Sequence, residues 1–134
     1  MKNVLKISQM TFLAVIILFS STATYANGDK AIDKARAAVE KAAVDDWETL
    51  TKSAKVCIRK NVNMEEALTW LNKSVAINKN TETLELLGDY YVKSNDHKRA
   101  VGYYVESMKA GKKYNFHFNT STLEEKVAKA LKQS

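Results

Sequence analysis

The chain has 134 residues, a length typical of one domain, and a formal net charge of +6. The basic side chains are spread along the sequence rather than gathered in a dense Lys/Arg run, so we expect no nucleic-acid partner. The single cysteine, Cys57, excludes an internal disulfide. Because Cys57 stands between Val56 and Ile58 in a helical pattern, we expect a small buried side chain rather than a link to another chain.

Residues 1–26 have the order of a secretory signal peptide. Two lysines near the start precede an unbroken apolar run over residues 12–19, and Thr24-Tyr25-Ala26 fits the small-x-small pattern that signal peptidase cuts. The apolar run is shorter than the roughly 20 residues of a membrane-spanning helix. We therefore predict a periplasmic or secreted protein whose mature chain begins at Asn27 and does not span a membrane. An uncleaved anchor is the alternative.

The remaining chain has the composition and periodicity of helices. It contains no proline, and it is rich in Ala, Leu, Lys and Glu, which favour helices. Apolar residues recur at i, i+3 and i+4 spacing between short polar breaks, and no segment shows sustained strand-like alternation. We therefore predict one all-α domain over residues 27–134. The six predicted helices cover residues 29–43, 45–60, 64–77, 82–93, 97–110 and 121–133.

Polar residues and glycine mark several predicted helix ends. Asn63 followed by Glu66 predicts a capping box at the start of the third helix, and Asp96 is a candidate N-cap for the fifth. Gly111 suits the position just past the end of the fifth helix. Residues 112–120 are therefore predicted to form a loop.

Corresponding small and large residues recur in the third and fifth helices. The pairs Ala67/Ala100, Leu71/Tyr104 and Ser74/Ser107 are each 33 residues apart. Gly88, in the fourth helix, would let two helices approach closely. With Leu84, Leu87 and Tyr91, these residues stand at the spacing of the signature positions of a tetratricopeptide repeat, a helix–turn–helix unit of about 34 residues. The sequence resembles that family.

The resemblance implies two repeat-like units, about 43–79 and 81–113, built from antiparallel helix pairs. In the first unit Lys55 replaces the expected glycine and Thr51 the usual bulky residue. The first and last predicted helices would cap the open faces of the pairs. The chain also resembles, more loosely, the helical tail of some secreted bacterial proteins of unknown function.

No motif in the sequence indicates catalysis, a cofactor or a metal. The two histidines are far apart, His97 being expected at an exposed helix start, and no H-E-x-x-H or paired-cysteine spacing occurs. A Gly-rich phosphate loop and a G-x-S-x-G elbow are absent as well. We expect a non-enzymatic protein–protein interaction scaffold. The alternatives are an accessory domain or subunit of an exported enzyme or carbohydrate-handling complex, and a small hydrolase.

The resemblance also implies a partner-binding groove, since the first helix of each pair lines a concave peptide-binding surface in that family. The positions matching that surface are Lys52, Val56, Arg59 and Lys60 in the first unit and Glu82, Glu85, Asp89 and Lys93 in the second. Of these, the candidate partner-binding residues are Lys52, Arg59, Glu85 and Asp89. Such a groove would be basic on one side and acidic on the other, and could orient a protein or peptide partner. The alternative is that these side chains are ordinary solvated charges.

Two further features are candidate contact surfaces. Tyr114, Phe116 and Phe118 place three aromatic rings in the predicted loop, where they would either tuck the last helix against the repeats or form an exposed patch. Trp70 lies beside the core position Leu71 and is expected either to face outward or to meet the first helix.

Overall fold

Six helices make up the computed structural model, which describes residues 29–134. The predicted signal peptide and its cleavage site lie outside the described residues. No strand occurs within 29–134, so the predicted all-α fold is confirmed. The helices are α1 (Lys30–Lys41), α2 (Trp47–Lys60), α3 (Met64–Ile77), α4 (Thr81–Lys93), α5 (His97–Tyr114) and α6 (Ser121–Leu131).

One predicted boundary is wrong by a full turn. Helix α5 continues through Gly111 to Tyr114, and Gly111 does not adopt the left-handed conformation of a helix-ending glycine. Glycine is needed there for space, because a Cβ atom at Gly111 would overlap the ring of Phe118. The loop between α5 and α6 is therefore shorter than predicted, and Phe118 packs back onto α5.

Side-chain caps start four of the six helices. Asp29, Asp46, Asn80 and Asp96 each accept a hydrogen bond from a backbone N–H in the first turn of α1, α2, α4 and α5. The predicted capping box of α3 is wrong: Asn63 adopts a left-handed conformation and makes no side-chain cap.

Glu66, the other half of that predicted box, instead pairs with Arg36 of α1 at 2.7 Å. A bidentate ion pair between two helices outcompetes a local cap for this carboxylate.

Consecutive helices pack on each other and are joined by short turns, so they run antiparallel. The contacts between helices are most extensive for α2 with α3 and for α4 with α5. Helix α3 also packs against α4, α2 against α4, and α5 against α6. The α1–α2, α3–α4 and α5–α6 turns consequently lie at one end of the bundle, here called the upper end. The other two turns lie at the lower end.

The 33-residue sequence offset corresponds to a repeated contact between paired helices. Ser74 of α3 donates to the carbonyl of Trp47, the first residue of α2, at 3.0 Å. Ser107 of α5 donates to the carbonyl of Thr81, the first residue of α4, at 2.9 Å. The small residues predicted at these crossings are buried: Ala67, Ser74, Gly88, Ala100 and Ser107.

The buried core includes residues from all six helices. Burial tests the predictions for Cys57, Trp70 and His97. Cys57 is fully buried, as predicted, and burial raises the pKa of its thiol. Trp70 is buried in the core rather than exposed. The prediction for His97 is wrong, because its ring is buried, with Nε2 3.0 Å from the side-chain oxygen of Asn95.

Acid is expected to weaken the fold through the capping aspartates. Hydrogen bonds from Thr49, first from its hydroxyl and then from its backbone N–H, hold the pKa of Asp46 below its usual value. A carboxyl whose pKa is lowered by folding contributes stability above its unfolded pKa of about 3.9, and the contribution is lost as the pH falls through the folded pKa. Asp46→Asn keeps a capping oxygen without the charge, so denaturant unfolding between about pH 5 and pH 2 should depend less on pH than in the wild type. An unchanged pH dependence would contradict this role.

None of the helices within residues 29–134 is long and apolar enough to cross a membrane.

Candidate functional site

A pocket of about 330 Å³ opens at the lower end of the bundle, where α2, α4 and α6 finish. Its floor is apolar, formed by Ile58, Val92 and Ala130. The volume lies at the small end of the range for ligand pockets, roughly 300–1,000 Å³. The charged residues of its wall are Arg59, Asp89, Lys93, Lys126 and Lys129.

The one carboxylate of the wall, Asp89, is already engaged inside the protein. Its Oδ1 atom accepts a 2.8 Å hydrogen bond from the Tyr104 hydroxyl and a 2.7 Å hydrogen bond from Lys126 Nζ. Lys126 also pairs with Glu85 at 2.7 Å, and so it bridges two carboxylates one turn apart on α4. These contacts fasten α6 to α4 beside the pocket.

The protonation states of this cluster follow from its partners. Burial alone would lower the pKa of Lys126, but hydrogen bonds to Asp89 and Glu85 outweigh burial and raise the pKa. Burial, and then the hydrogen bond to Asp89, raise the pKa of Tyr104 far above its usual value. At neutral pH Lys126 is therefore charged, and the Tyr104 hydroxyl keeps the proton that it donates.

The other three cations of the wall have no such partners. Arg59 lies in the last turn of α2, Lys93 in that of α4 and Lys129 in that of α6. All three are exposed, and none forms an ion pair with a carboxylate of residues 29–134. A cation in this position also complements the partial negative charge of a helix C-terminus. Because three helices end together, the pocket has a basic rim over an apolar floor.

The four residues predicted to bind a partner are not all brought together. Arg59 and Asp89 line the same pocket, and Glu85 stands behind it as a partner of Lys126. Lys52 lies in a separate hollow of about 360 Å³ between α1 and α2, and its Nζ is 3.0 Å from Glu48. Partner binding by these four residues stays a prediction.

Sequence reasoning missed Lys126 and Lys129 because it treated α6 as a simple cap. The signal that could have predicted them is the spacing of charged residues on α4 and α6. Glu85 and Asp89 stand at i and i+4 on α4, while Lys126 and Lys129 stand at i and i+3 on α6. Each pair presents like charges on one helix face, and the two faces have opposite sign.

The chemistry open to this pocket follows from the groups that line it. Within residues 29–134, no three His, Cys, Asp or Glu side chains are grouped so that they could hold a metal ion. The carboxylates of the pocket cluster are acceptors to Lys126 and Tyr104. What the pocket can do chemically is to hold an anion against an apolar surface. No protein-family model, curated protein or solved structure matches the chain.

Proposed function

We propose that the protein is a non-enzymatic, exported interaction scaffold built from tetratricopeptide-like helix pairs. In this proposal it binds an acidic segment of a partner protein in the basic pocket at the ends of α2, α4 and α6. The exported location depends on the character of residues 1–26, which resemble a secretory signal peptide.

The repeated helix-pair contact supports the scaffold part of the proposal. Ser74 and Ser107 make the same hydrogen bond in successive pairs, each to the first residue of the preceding helix. Stacked pairs of this kind bury a continuous core and leave a face along which a partner segment can lie.

The observation that carries the binding part is the set of three unpaired cations around an apolar floor. Lys126 offsets one of the two charges on Asp89 and Glu85, so with Arg59, Lys93 and Lys129 four cations face two carboxylates and the pocket keeps a net positive charge. Two opposite charges at 4 Å attract by about 4 kcal/mol at the effective dielectric of a protein surface, before desolvation. A carboxylate next to an apolar side chain would therefore match both parts of the pocket.

Binding is tested with a synthetic peptide that has one leucine between glutamates, and with its glutamine analogue. We expect the acidic peptide to bind the full chain and the glutamine analogue to bind at least about tenfold more weakly. Arg59→Glu is expected to weaken acidic-peptide binding by at least about tenfold, because it reverses one charge of the rim. Fluorescence anisotropy of the labelled peptides measures all these affinities.

The matched control is Lys73→Glu, which makes the same change in charge on the exposed surface of α3, outside the pocket. It should bind the acidic peptide as the wild type does. Equal weakening by both variants would mean that only net charge matters. That result, or no binding of the acidic peptide by the wild type, would refute the proposed site while leaving the fold unaffected.

A further inference from the structure

The most exposed large apolar side chains of the described chain lie at the upper end of the bundle, opposite the pocket. Val44 in the α1–α2 turn is 84 % exposed, and Tyr114 and Phe116 at the α5–α6 turn are 77 % and 86 % exposed. Ile77, the last residue of α3, is also exposed at this end. These residues come from the α1–α2, α3–α4 and α5–α6 turns, which are alternate turns of the chain, so helix topology alone places them at one end.

The name α5–α6 turn here covers residues 112–120, which are the end of α5 and the link to α6. This segment combines exposed aromatic rings with positive charge. Residues 107–123 contain three lysines and no acidic residue. Lys112 and Lys113 are exposed and form no ion pair with residues 29–134, and Lys113 Nζ lies 5.8 Å from the centre of the Tyr114 ring. Phe118 anchors the turn by packing on Gly111, so Tyr114 and Phe116 project from a fixed base.

Charge is not uniform over the upper end. Asp45 is exposed next to Val44, so the α1–α2 turn is acidic as well as apolar. Among the turns of the upper end, the α5–α6 turn alone unites exposed aromatic rings with lysines that form no ion pair within residues 29–134. Any surface that it meets should therefore be negatively charged and able to accept projecting rings.

We propose that the α5–α6 turn docks onto the surface of a membrane that contains anionic phospholipids. Aromatic rings prefer the interface between lipid and water, and each lysine near an anionic leaflet strengthens binding by roughly fivefold. Projecting side chains at the tip of a turn can enter a soft lipid interface without a complementary pocket. The pocket at the lower end would then face away from the membrane.

The test uses the chain from Asn27 onward, since the apolar run at residues 12–19 would itself enter lipid. This fragment contains the whole core that the six helices bury, and circular dichroism checks its helical fold. Co-sedimentation is measured with vesicles of phosphatidylcholine alone and with one-third phosphatidylglycerol. We expect binding to the phosphatidylglycerol vesicles in about 0.1 M salt. Binding should weaken in about 1 M salt, because the Debye length falls from about 10 Å to about 3 Å.

Two double variants separate the contributions of the rings and the charges. Tyr114→Ser with Phe116→Ser should weaken binding to phosphatidylglycerol vesicles by at least about tenfold, because the rings no longer enter the interface. Lys112→Ala with Lys113→Ala should weaken it by roughly 25-fold, from roughly fivefold for each charge.

Matched controls alter the lower end of the molecule. Leu131→Ser removes an exposed apolar side chain at the end of α6, and Lys98→Glu removes two units of charge at the start of α5. Both should bind vesicles as the unaltered fragment does. Absence of vesicle binding by that fragment, or equal losses in the controls and the turn variants, would overturn the proposal. Acidic-peptide binding in the pocket is measured separately, so the two proposals fail independently.

Discussion

Replacing Gly88 with alanine should lower the free energy of unfolding by about 2 kcal/mol. Gly88 is buried on α4 and faces the ring of Tyr104 on α5, where a Cβ atom would overlap the ring carbons Cδ1 and Cε1. The ring cannot move aside freely, because it is 2 % exposed and its hydroxyl is bound to Asp89. The overlap therefore outweighs the stability of about 1 kcal/mol that alanine gains over glycine in a helix.

Gly102→Ala is the matched control, since Gly102 also lies within a helix, but a Cβ atom added there would meet nothing within 4 Å. Here only helix propensity changes, so the free energy of unfolding should rise by about 0.5–1 kcal/mol. Urea unfolding followed by circular dichroism measures both variants. Effects of the same sign would show that contact between α4 and α5 at Gly88 is not as close as the structure places it.

The paired alanine and serine sites show how much of the fold could be read from the sequence. Small residues that recur at a fixed offset are constrained by the backbone of a neighbouring helix, so their spacing carries tertiary information. Ala67, Ser74, Ala100 and Ser107 are accordingly all buried. Helix positions were predicted for a similar reason, because the 3.6-residue period reports a face that must be buried.

Two of the errors come from side-chain contacts that lie outside the local pattern on which the prediction was based. Glu66 has the local spacing of a capping residue, yet Arg36, 30 residues away, binds it. Gly111 has the local signature of a helix end, but its lack of a side chain accommodates Phe118. A local sequence pattern predicts a helix cap or a helix end, but it does not show that a residue elsewhere in the fold competes for the same position.

The candidate site was predicted only in part for the same reason. The groove positions on α2 and α4 follow from the resemblance to tetratricopeptide repeats, and three of them, Arg59, Asp89 and Lys93, share a pocket. The position of α6 does not follow from that resemblance. It brings Lys126 to Asp89 and Glu85, and so changes the predicted acidic side of the groove into the supporting wall of a basic pocket.

A buried group of hydroxyls is the feature that sequence reasoning missed most completely. Thr51 of α2, Ser74 of α3 and Thr83 of α4 meet in the core, with Thr51 Oγ1 at 2.7 Å from Ser74 Oγ and 2.8 Å from Thr83 Oγ1. All three residues are at most 1 % exposed. In the sequence Thr51 departs from the repeat pattern, because it replaces a bulky residue. In the structure it is one member of a polar contact that joins three helices.

Ser74→Ala should therefore cost more stability than Ser107→Ala, although the two serines make the same carbonyl contact in their helix pairs. Ser107 makes one side-chain hydrogen bond, to the Thr81 carbonyl, so its loss should cost about 1 kcal/mol. Ser74 bonds the Trp47 carbonyl and also meets Thr51 and Thr83, so Ser74→Ala should cost about 2–3 kcal/mol. Both variants remove one oxygen from a fully buried site, so the difference in their free energies of unfolding isolates the contacts that Ser74 makes with Thr51 and Thr83. Equal losses in urea unfolding would mean that Thr51 and Thr83 satisfy each other without Ser74, and that the three-helix contact adds nothing to the fold.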